Sequence, residues 1–151
     1  MTIRFAVKED AVRLAQLEQA NFAEPWSQAA IEEAMDYGTL FFVSEQDGLV
    51  VGYAGMKPVS DEGYIANVAV DESFRRQGIA KALMEAVTAY AQENGLATLS
   101  LEVRPSNQGA IALYTACGYK QVGRRKNFYS NPQEDGLILT RKVEPYAHSQ
   151  Y

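Results

Sequence analysis

The sequence of 151 residues predicts one domain with a mixed α/β fold, built on a largely antiparallel central sheet with one parallel strand pair. Three β-rich runs in the first half are joined by short turns, and an Asp47-Gly48 pair between two such runs is typical of a hairpin. Further along, a segment with helical spacing separates two β-rich runs, and a strand-helix-strand unit of this kind places its strands parallel. The length is that of a single domain, which we assign to residues 1–144, with residues 145–151 as a flexible tail.

The first half of the chain predicts a strand, two helices and a three-stranded meander. Residues 2–6 form the strand, and apolar residues then recur at helical spacing from Val7 to Leu17. Ser27 has the chemistry of an N-cap for a second helix that runs to Met35. Strands follow at residues 40–44, 49–57 and 64–70, joined by turns at 45–48 and 61–63.

The second half predicts two helices and three strands. Apolar residues from Ile79 to Tyr90 follow helical spacing, and Asn94-Gly95 supplies a left-handed cap. A strand at 96–103, a helix at 107–117 ended by Gly118, strands at 119–124 and 136–143, and a polar loop at 129–135 complete the chain.

Composition and charge exclude several classes of protein. Hydrophobic residues make up 47% of the chain, enough for a sizeable core, and the net charge of −5 argues against direct binding to nucleic acid. Cys117 is the only cysteine, so an internal disulfide and a cysteine-rich zinc site are excluded, and we expect no metal. The longest uncharged apolar stretch, 49–56, is far short of the ~18 residues of a membrane span. We expect a cytoplasmic protein with no membrane partner.

The densest chemical signal is the segment that leads from residues 67–70 into the helix beginning near Ile79. Unpaired N–H groups and the positive end of a helix dipole favour an anion at such a helix start. Gly78 is small enough for phosphate oxygens to approach the backbone, and Arg75, Arg76 and Lys81 add positive charge. The alternative is an ordinary solvated helix start with surface charges, which the preceding strand and the cationic cluster disfavour.

The pattern Arg75-x-x-Gly78-x-Ala80 after Asn67-Val68-Ala69-Val70 resembles the acyl-CoA pyrophosphate loop of the GNAT N-acetyltransferases, and the order of predicted elements resembles the GNAT fold over nearly the whole chain. The last loop position is Ala80, where many members carry Gly. The resemblance implies helices on both faces of the sheet and acetyl-CoA as co-substrate. It also implies that the backbone of Val68, Ala69 and Val70 binds the pantetheine arm, and that the pyrophosphate is cradled by Arg76, Gln77, Gly78, Ile79, Ala80 and Lys81.

Three polar residues beyond this loop are candidates for chemistry. Glu102 alternates with apolar neighbours near the end of its strand, where a carboxylate can act as a base or simply form a salt bridge to Arg104 or a nearby lysine. Asn107 and Tyr114 lie on one side of the next helix. Asn107 is either an N-cap or a cofactor ligand, and Tyr114 is either a core aromatic or an acid that protonates a leaving thiolate.

A larger set of sequence segments resembles one branch of this family, the RimI-type ribosomal-protein-alanine N-acetyltransferases. It comprises residues 101–107, 112–114, 117–119 and 125–129, together with Pro25-Trp26-Ser27. The branch resemblance implies that Glu102 is the catalytic base, that Tyr114 is the acid and that the loop around Trp26 borders the peptide groove. Phe128 stands where a tyrosine is common. Trp26 is otherwise explained as an anchor of its loop to the core.

The implied acceptor is a protein N-terminus, namely the N-terminal alanine of a small-subunit ribosomal protein. At pH 7 an α-amine of pKa ~7.8 is roughly 14% neutral and a lysine of pKa ~10.4 only ~0.04%, a ratio of roughly 400. A small amine, a lysine side chain, and a non-catalytic acyl-CoA-binding module are the alternatives. Covalent catalysis by Cys117 is disfavoured because His148, the only histidine, lies in the predicted tail.

Overall fold

The computed structural model of the protein describes residues 1–144. The predicted tail at 145–151, with His148, lies outside the described residues. The regular elements are β1 Thr2–Phe5, α1 Ala11–Asn21, α2 Gln28–Asp36, β2 Leu40–Gln46, β3 Leu49–Val59, β4 Glu62–Val70, α3 Ile79–Glu93, β5 Thr98–Val103, α4 Gln108–Ala116, β6 Lys120–Tyr129 and β7 Glu134–Lys142.

The strands form one sheet in the order β1-β2-β3-β4-β5-β7-β6. The pairs β1–β2, β2–β3, β5–β7 and β6–β7 are antiparallel, and β4–β5, which α3 connects, is parallel. The predicted mixed sheet and its crossover are therefore confirmed. Within residues 1–144, no helix is long and apolar enough to span a membrane.

The chain divides into two compact units, and the first comprises Met1–Lys57 and Ile65–Val87. Its β2–β3 hairpin turns at Asp47-Gly48, where both residues have positive φ, as the sequence predicts. Helices α1 and α2 pack on one face of this hairpin in an apolar cluster of Ala11, Leu14, Leu17, Ile31, Phe41, Val43, Val50, Tyr53 and Ala69.

Helix α3 begins on the opposite face of β3 in this unit. A Cβ placed on Gly52 would lie 3.1 Å from Cγ2 of Ile79, whereas the neighbouring Tyr53 belongs to the cluster beneath α1 and α2. Successive strand residues point to opposite faces, so helices cover both faces of the hairpin, as expected from the family resemblance. The absence of a side chain at Gly52 permits this close approach.

The second unit comprises Pro58–Tyr64 and the described residues from Thr88 onward. Buried residues alternate with partly exposed ones along β5, and α4 ends before Gly118, whose φ is +92°. β6 is exposed along most of its length and takes the last place in the strand order.

Two predicted boundaries were wrong. The polar loop expected at 129–135 is confined to residues 130–133, because β6 continues to Tyr129 and β7 begins at Glu134. Backbone pairing does not require apolar side chains on an exposed strand, so the polar segment could pair across an irregularity between Arg125 and Tyr129. The first helix begins at Ala11, after a separate 3-10 turn at Lys8–Asp10.

Candidate functional site

The segment between β4 and α3 has the geometry of an anion-binding loop. β4 ends at Val70, a 3-10 turn covers Glu72–Phe74, and Ala82 N donates to Gly78 O over 3.0 Å at the start of α3. The N–H groups from Gly78 to Lys81 therefore precede the first helical hydrogen bond and have no acceptor within the helix. Such a row of N–H groups at a helix start suits a phosphate.

Two residues of this loop have left-handed backbone conformations. The φ of Arg76 is +65° and that of Gly78 is +75°. Alternation of ordinary and left-handed residues turns successive N–H groups toward one side, a geometry that favours anions. No other atom lies within 4 Å of a Cβ built on Gly78, so the requirement for glycine there is one of backbone conformation.

The three predicted cations of the loop have different surroundings. All three are exposed, but Nη2 of Arg75 donates to Oδ1 of Asn21 at the end of α1 over 2.6 Å. Arg75 therefore connects the loop to α1, and Arg76 and Lys81 are the cations better placed to meet an anion.

Arg13 of α1 forms contacts with the loop and with β3 that the sequence did not predict. Its Nε donates to Val50 O over 2.8 Å, and its Nη2 donates to Oδ2 of Asp71 over 2.7 Å. Asp71 is the first residue of the loop, and its other carboxylate oxygen accepts from Ser73 N. The hydrogen bond from Arg13 is the main reason why the pKa of Asp71 lies below its usual value. Arg13 thus anchors the loop to β3.

In the second unit, Glu102 lies on β5 between the buried residues Leu101 and Val103. Its side chain is 22% exposed, and its Oε1 accepts from Nε of Arg125 at 3.0 Å. Glu102 does form a salt bridge, as the sequence allowed, but its partner is Arg125 and not Arg104 or a lysine. Any proton that Glu102 accepts is therefore taken up by a carboxylate that is already ion-paired with Arg125.

Tyr114 lies on α4 and is 7% exposed. Its ring centroid is 6.0 Å from that of Tyr119. Burial, with smaller contributions from Tyr129 and Cys117, raises the pKa of Tyr114 far above that of a free phenol. The hydroxyl is therefore protonated at neutral pH and can donate a proton.

Tyr129 is a second phenol at this site, which the sequence analysis placed in a loop. It is half-buried, and the Arg104 guanidinium lies 4.5 Å from its ring centroid. Burial and the charge of Glu102 raise its pKa to about 12. Tyr129 also contributes to the raised pKa of Tyr114.

The loop between β6 and β7 is held by Arg104. Its guanidinium donates to Ser130 O and Pro132 O over 2.8 and 2.7 Å, and forms an ion pair with Glu134 at 3.1 Å. Phe128, on the same hairpin, is 48% exposed. Arg104 is thus a fixed part of the hairpin that carries Tyr129.

Asn107 caps α4, since its Oδ1 accepts from Ala110 N over 3.1 Å. The structural role considered from the sequence is confirmed, and the cofactor role remains a prediction. A similar cap begins α2, where Oγ of Ser27 accepts from Ala30 N. Trp26, just before this cap, is half-buried and forms a T-shaped pair with Phe41 at a centroid distance of 6.4 Å.

Residues 11–119 match the acetyltransferase (GNAT) family. The protein belongs to the GNAT family. This finding confirms the resemblance on which the expected fold and co-substrate rested, and the matched residues include the loop, β5 and α4.

Relatives of this GNAT protein cover nearly its whole length. It is 38% identical over 142 residues to the ribosomal protein bS18-alanine N-acetyltransferase of Haemophilus ducreyi, covering 91% of this chain and 97% of the relative. It is 37% identical over 129 residues to the enzyme of that name from Escherichia coli, covering 84% and 87%. The crystal structure of the ribosomal-protein-S18-alanine N-acetyltransferase from Escherichia coli superposes with a TM-score of 0.89 at 33% identity, covering 99% and 98%.

The contacts that the sequence missed join residues far apart in the chain. Arg13 and Asp71 are 58 positions apart, and Glu102 and Arg125 are 23 apart. Neither pair has a spacing that distinguishes it from ordinary surface charges. Among the described residues, no group of three histidine, cysteine, aspartate or glutamate side chains could hold a metal ion.

Proposed function

We propose that this protein transfers the acetyl group of acetyl-CoA to the α-amine of a protein N-terminus, with the N-terminal alanine of ribosomal protein bS18 as its acceptor. The observation that carries the proposal is the similarity over nearly the full length to enzymes named for that reaction. We place the reaction in the cytoplasm, where ribosomal proteins are made.

Acetyl-CoA binding is assigned to the first unit. The backbone of Val68, Ala69 and Val70 binds the pantetheine arm, and the N–H groups from Gly78 to Lys81 bind the pyrophosphate. The left-handed backbone at Arg76 and Gly78 supports this assignment, because it exposes several N–H groups together. Asn107 is a further candidate ligand through the part of its amide that does not cap α4.

The chemistry is assigned to residues of the second unit. The neutral α-amine attacks the thioester carbonyl, Glu102 accepts the ammonium proton, and the carbon–sulfur bond breaks as Tyr114 gives its proton to the departing thiolate. Tyr114 is protonated at neutral pH, as an acid must be, while its raised pKa makes it a weaker acid than a free phenol. Direct attack in a ternary complex needs no acyl-enzyme, so Cys117 has no part in it.

An α-amine suits this arrangement better than a lysine does. At neutral pH the uncharged fraction of an α-amine is roughly 400 times that of a lysine side chain. The base therefore has to deprotonate fewer of the bound acceptor amines. The net charge of −5 also attracts the basic segment of a ribosomal protein, which speeds encounter without selecting the acceptor.

The test is a screen of acceptor peptides that differ only in their first residue, read by mass spectrometry. Peptides with a free N-terminal alanine followed by basic residues are expected to be acetylated faster than N-blocked peptides that contain lysine. Each peptide is paired with its own N-blocked form as the control. Faster turnover of blocked lysine peptides or of polyamines would contradict the acceptor assignment, and acetyl-CoA binding without turnover on any amine would contradict the enzymatic role.

A further inference from the structure

A buried carboxylate in the first unit has no part in the chemistry above. Glu18 of α1 is 1% exposed, although glutamate is seldom fully buried. Its Oε1 accepts from Trp26 N over 2.8 Å. Its Oε2 accepts from Nδ2 of Asn67 over 2.9 Å and from the hydroxyl of Tyr53.

These donors are an amide N–H, a side-chain amide and a phenol, and none of them carries a charge. Burying a carboxylate against neutral donors is costly unless they are well placed, and burial accordingly raises the pKa of Glu18. An apolar side chain would fill this part of the core without the desolvation cost of a carboxylate. We therefore explain the carboxylate by the groups that its hydrogen bonds hold in position.

The bond to Trp26 holds the turn between α1 and α2. Residues 22–27 are not part of a helix or strand, and the N–H of Trp26 is fixed by a side chain eight positions earlier. Its ring then packs against Phe41 in a T-shaped arrangement. The turn's conformation thus depends on Glu18.

Trp26 is also a wall of an open pocket of about 500 Å³. Two further residues that line the pocket are Glu33 of α2 and Tyr37, which directly follows α2. Tyr37 is 72% exposed. Aromatic rings and a carboxylate in one pocket suit a cationic side chain, although Lys57, which also lines the pocket, limits how much positive charge fits. The chemistry therefore favours a basic peptide segment with one cation at this point.

We propose that Glu18 is a positioning residue for the acceptor: it fixes the Trp26 turn, and the turn contacts the basic segment that follows the reactive α-amine. The inference rests on the proposed function. Asn67 of β4 and Tyr53 of β3 align the carboxylate for this purpose, and both strands belong to the central sheet.

The test compares Glu18→Ala with Glu18→Gln in the full chain. Alanine removes the acceptor of the Trp26 N–H, so the KM for a basic N-terminal alanine peptide should rise about 10-fold. The kcat and the KM for acetyl-CoA should stay within about 3-fold. Glutamine keeps one oxygen for Trp26, and Asn67 can turn its amide to accept from the new NH₂ group, so the peptide KM should return most of the way to that of the wild type.

Trp26 gives a second readout that is independent of activity. It is the only tryptophan in the sequence, so fluorescence excited at a wavelength that tyrosine does not absorb reports on the surroundings of Trp26 alone. Emission of Glu18→Ala should shift to longer wavelength, and that of Glu18→Gln should shift less. Glu85→Ala, an exposed carboxylate removed from α3, is the control and should change neither readout. Thermal unfolding establishes that each variant is folded.

The outcomes separate the two proposals. An unchanged peptide KM in folded Glu18→Ala, unchanged Trp26 emission, or an equal rise in the KM of acetyl-CoA would overturn the role of Glu18 and leave the proposed function intact. If the wild-type protein acetylates no N-terminal peptide while binding acetyl-CoA, the proposed function fails and the positioning role fails with it.

Discussion

At the scale of single residues, Glu102 and Tyr114 have contrasting surroundings. Glu102 is partly exposed and paired with Arg125, whereas Tyr114 is buried against Tyr119. A base benefits from access to its substrate, which the partial exposure of Glu102 provides. Burial keeps the Tyr114 phenol protonated before the reaction but disfavours the phenolate that proton donation leaves behind, so the assigned role of acid rests on the presence of the hydroxyl and not on its raised pKa.

Removing the Tyr114 hydroxyl tests the acid. Tyr114→Phe should lower kcat roughly 10- to 1000-fold and leave the affinity for acetyl-CoA within a few-fold, because the ring still fills its site. Steady-state kinetics and calorimetric binding measure the two effects. Tyr119→Phe removes a neighbouring buried phenol and should retain kcat. Wild-type kcat in Tyr114→Phe, where chemistry limits turnover, would make Tyr114 a core aromatic only.

The raised pKa of Glu18 predicts how stability depends on pH. Its folded-state pKa exceeds the unfolded value, so the folded protein binds this proton more tightly, and that stabilisation is full below the unfolded pKa and lost as pH rises through the folded one. Wild type should therefore lose stability relative to Glu18→Gln as pH rises above the ordinary glutamate pKa of about 4.3. Urea unfolding at several pH values measures the difference, with Glu85→Gln as a reference. A difference that is constant or of opposite slope would refute this.

At the scale of elements, the start of α3 depends on the backbone of Gly78. A residue with a Cβ is strained at φ +75°, by roughly 1–2 kcal/mol and more when β-branched, so Gly78→Val should weaken acetyl-CoA binding about 10-fold. Gly48 has φ +79° and equally open surroundings, so Gly48→Val is a control with similar strain remote from the loop. Calorimetry gives affinity, and thermal unfolding gives stability. If both variants bind acetyl-CoA as the wild type does, the loop is not the phosphate site.

The contact of Arg13 with the loop makes a separate prediction for α1. Arg13→Met removes the partner of Asp71, whose ion pair is largely shielded from solvent, so the loop loosens and the KM for acetyl-CoA should rise about 3- to 10-fold. The kcat should change little, since Arg13 does not touch the reacting atoms. Lys8→Met removes the exposed pair with Asp36 and should leave the KM unchanged. An equal effect of both variants would contradict the anchoring role.

Local signals predicted elements better than they predicted sites. The caps at Ser27 and Asn107 and the turn at Asp47-Gly48 were correct because each depends on residues a few positions apart. The extension of β6 through Arg125 to Tyr129 was missed, since exposed pairing leaves no apolar alternation. Site contacts such as Glu18 with Asn67, 49 positions apart, arise only from tertiary packing. The roles of the site residues came from the family resemblance.

At the scale of the whole molecule, the net charge of −5 makes encounter with a basic acceptor sensitive to salt. The kcat/KM for a basic N-terminal alanine peptide should fall as ionic strength rises, while kcat at saturation stays constant. A peptide with its basic residues replaced by glutamine is the control and should respond weakly. An equal decline for both peptides would show that salt acts on the enzyme rather than on steering.

The exposed strand β6 has a consequence for the behaviour of the protein in concentrated solution. As the last strand in the order, it offers unpaired backbone groups along one side, which is the usual starting point for sheet-to-sheet aggregation. Lys120 and Lys126 lie on this strand within an otherwise acidic chain, together with Arg124 and Arg125, whose charges are partly offset by ion pairs with Asp135 and Glu102. Two copies that met edge to edge would bring these positive charges together. Their mutual repulsion opposes strand addition and therefore disfavours association of two copies through β6.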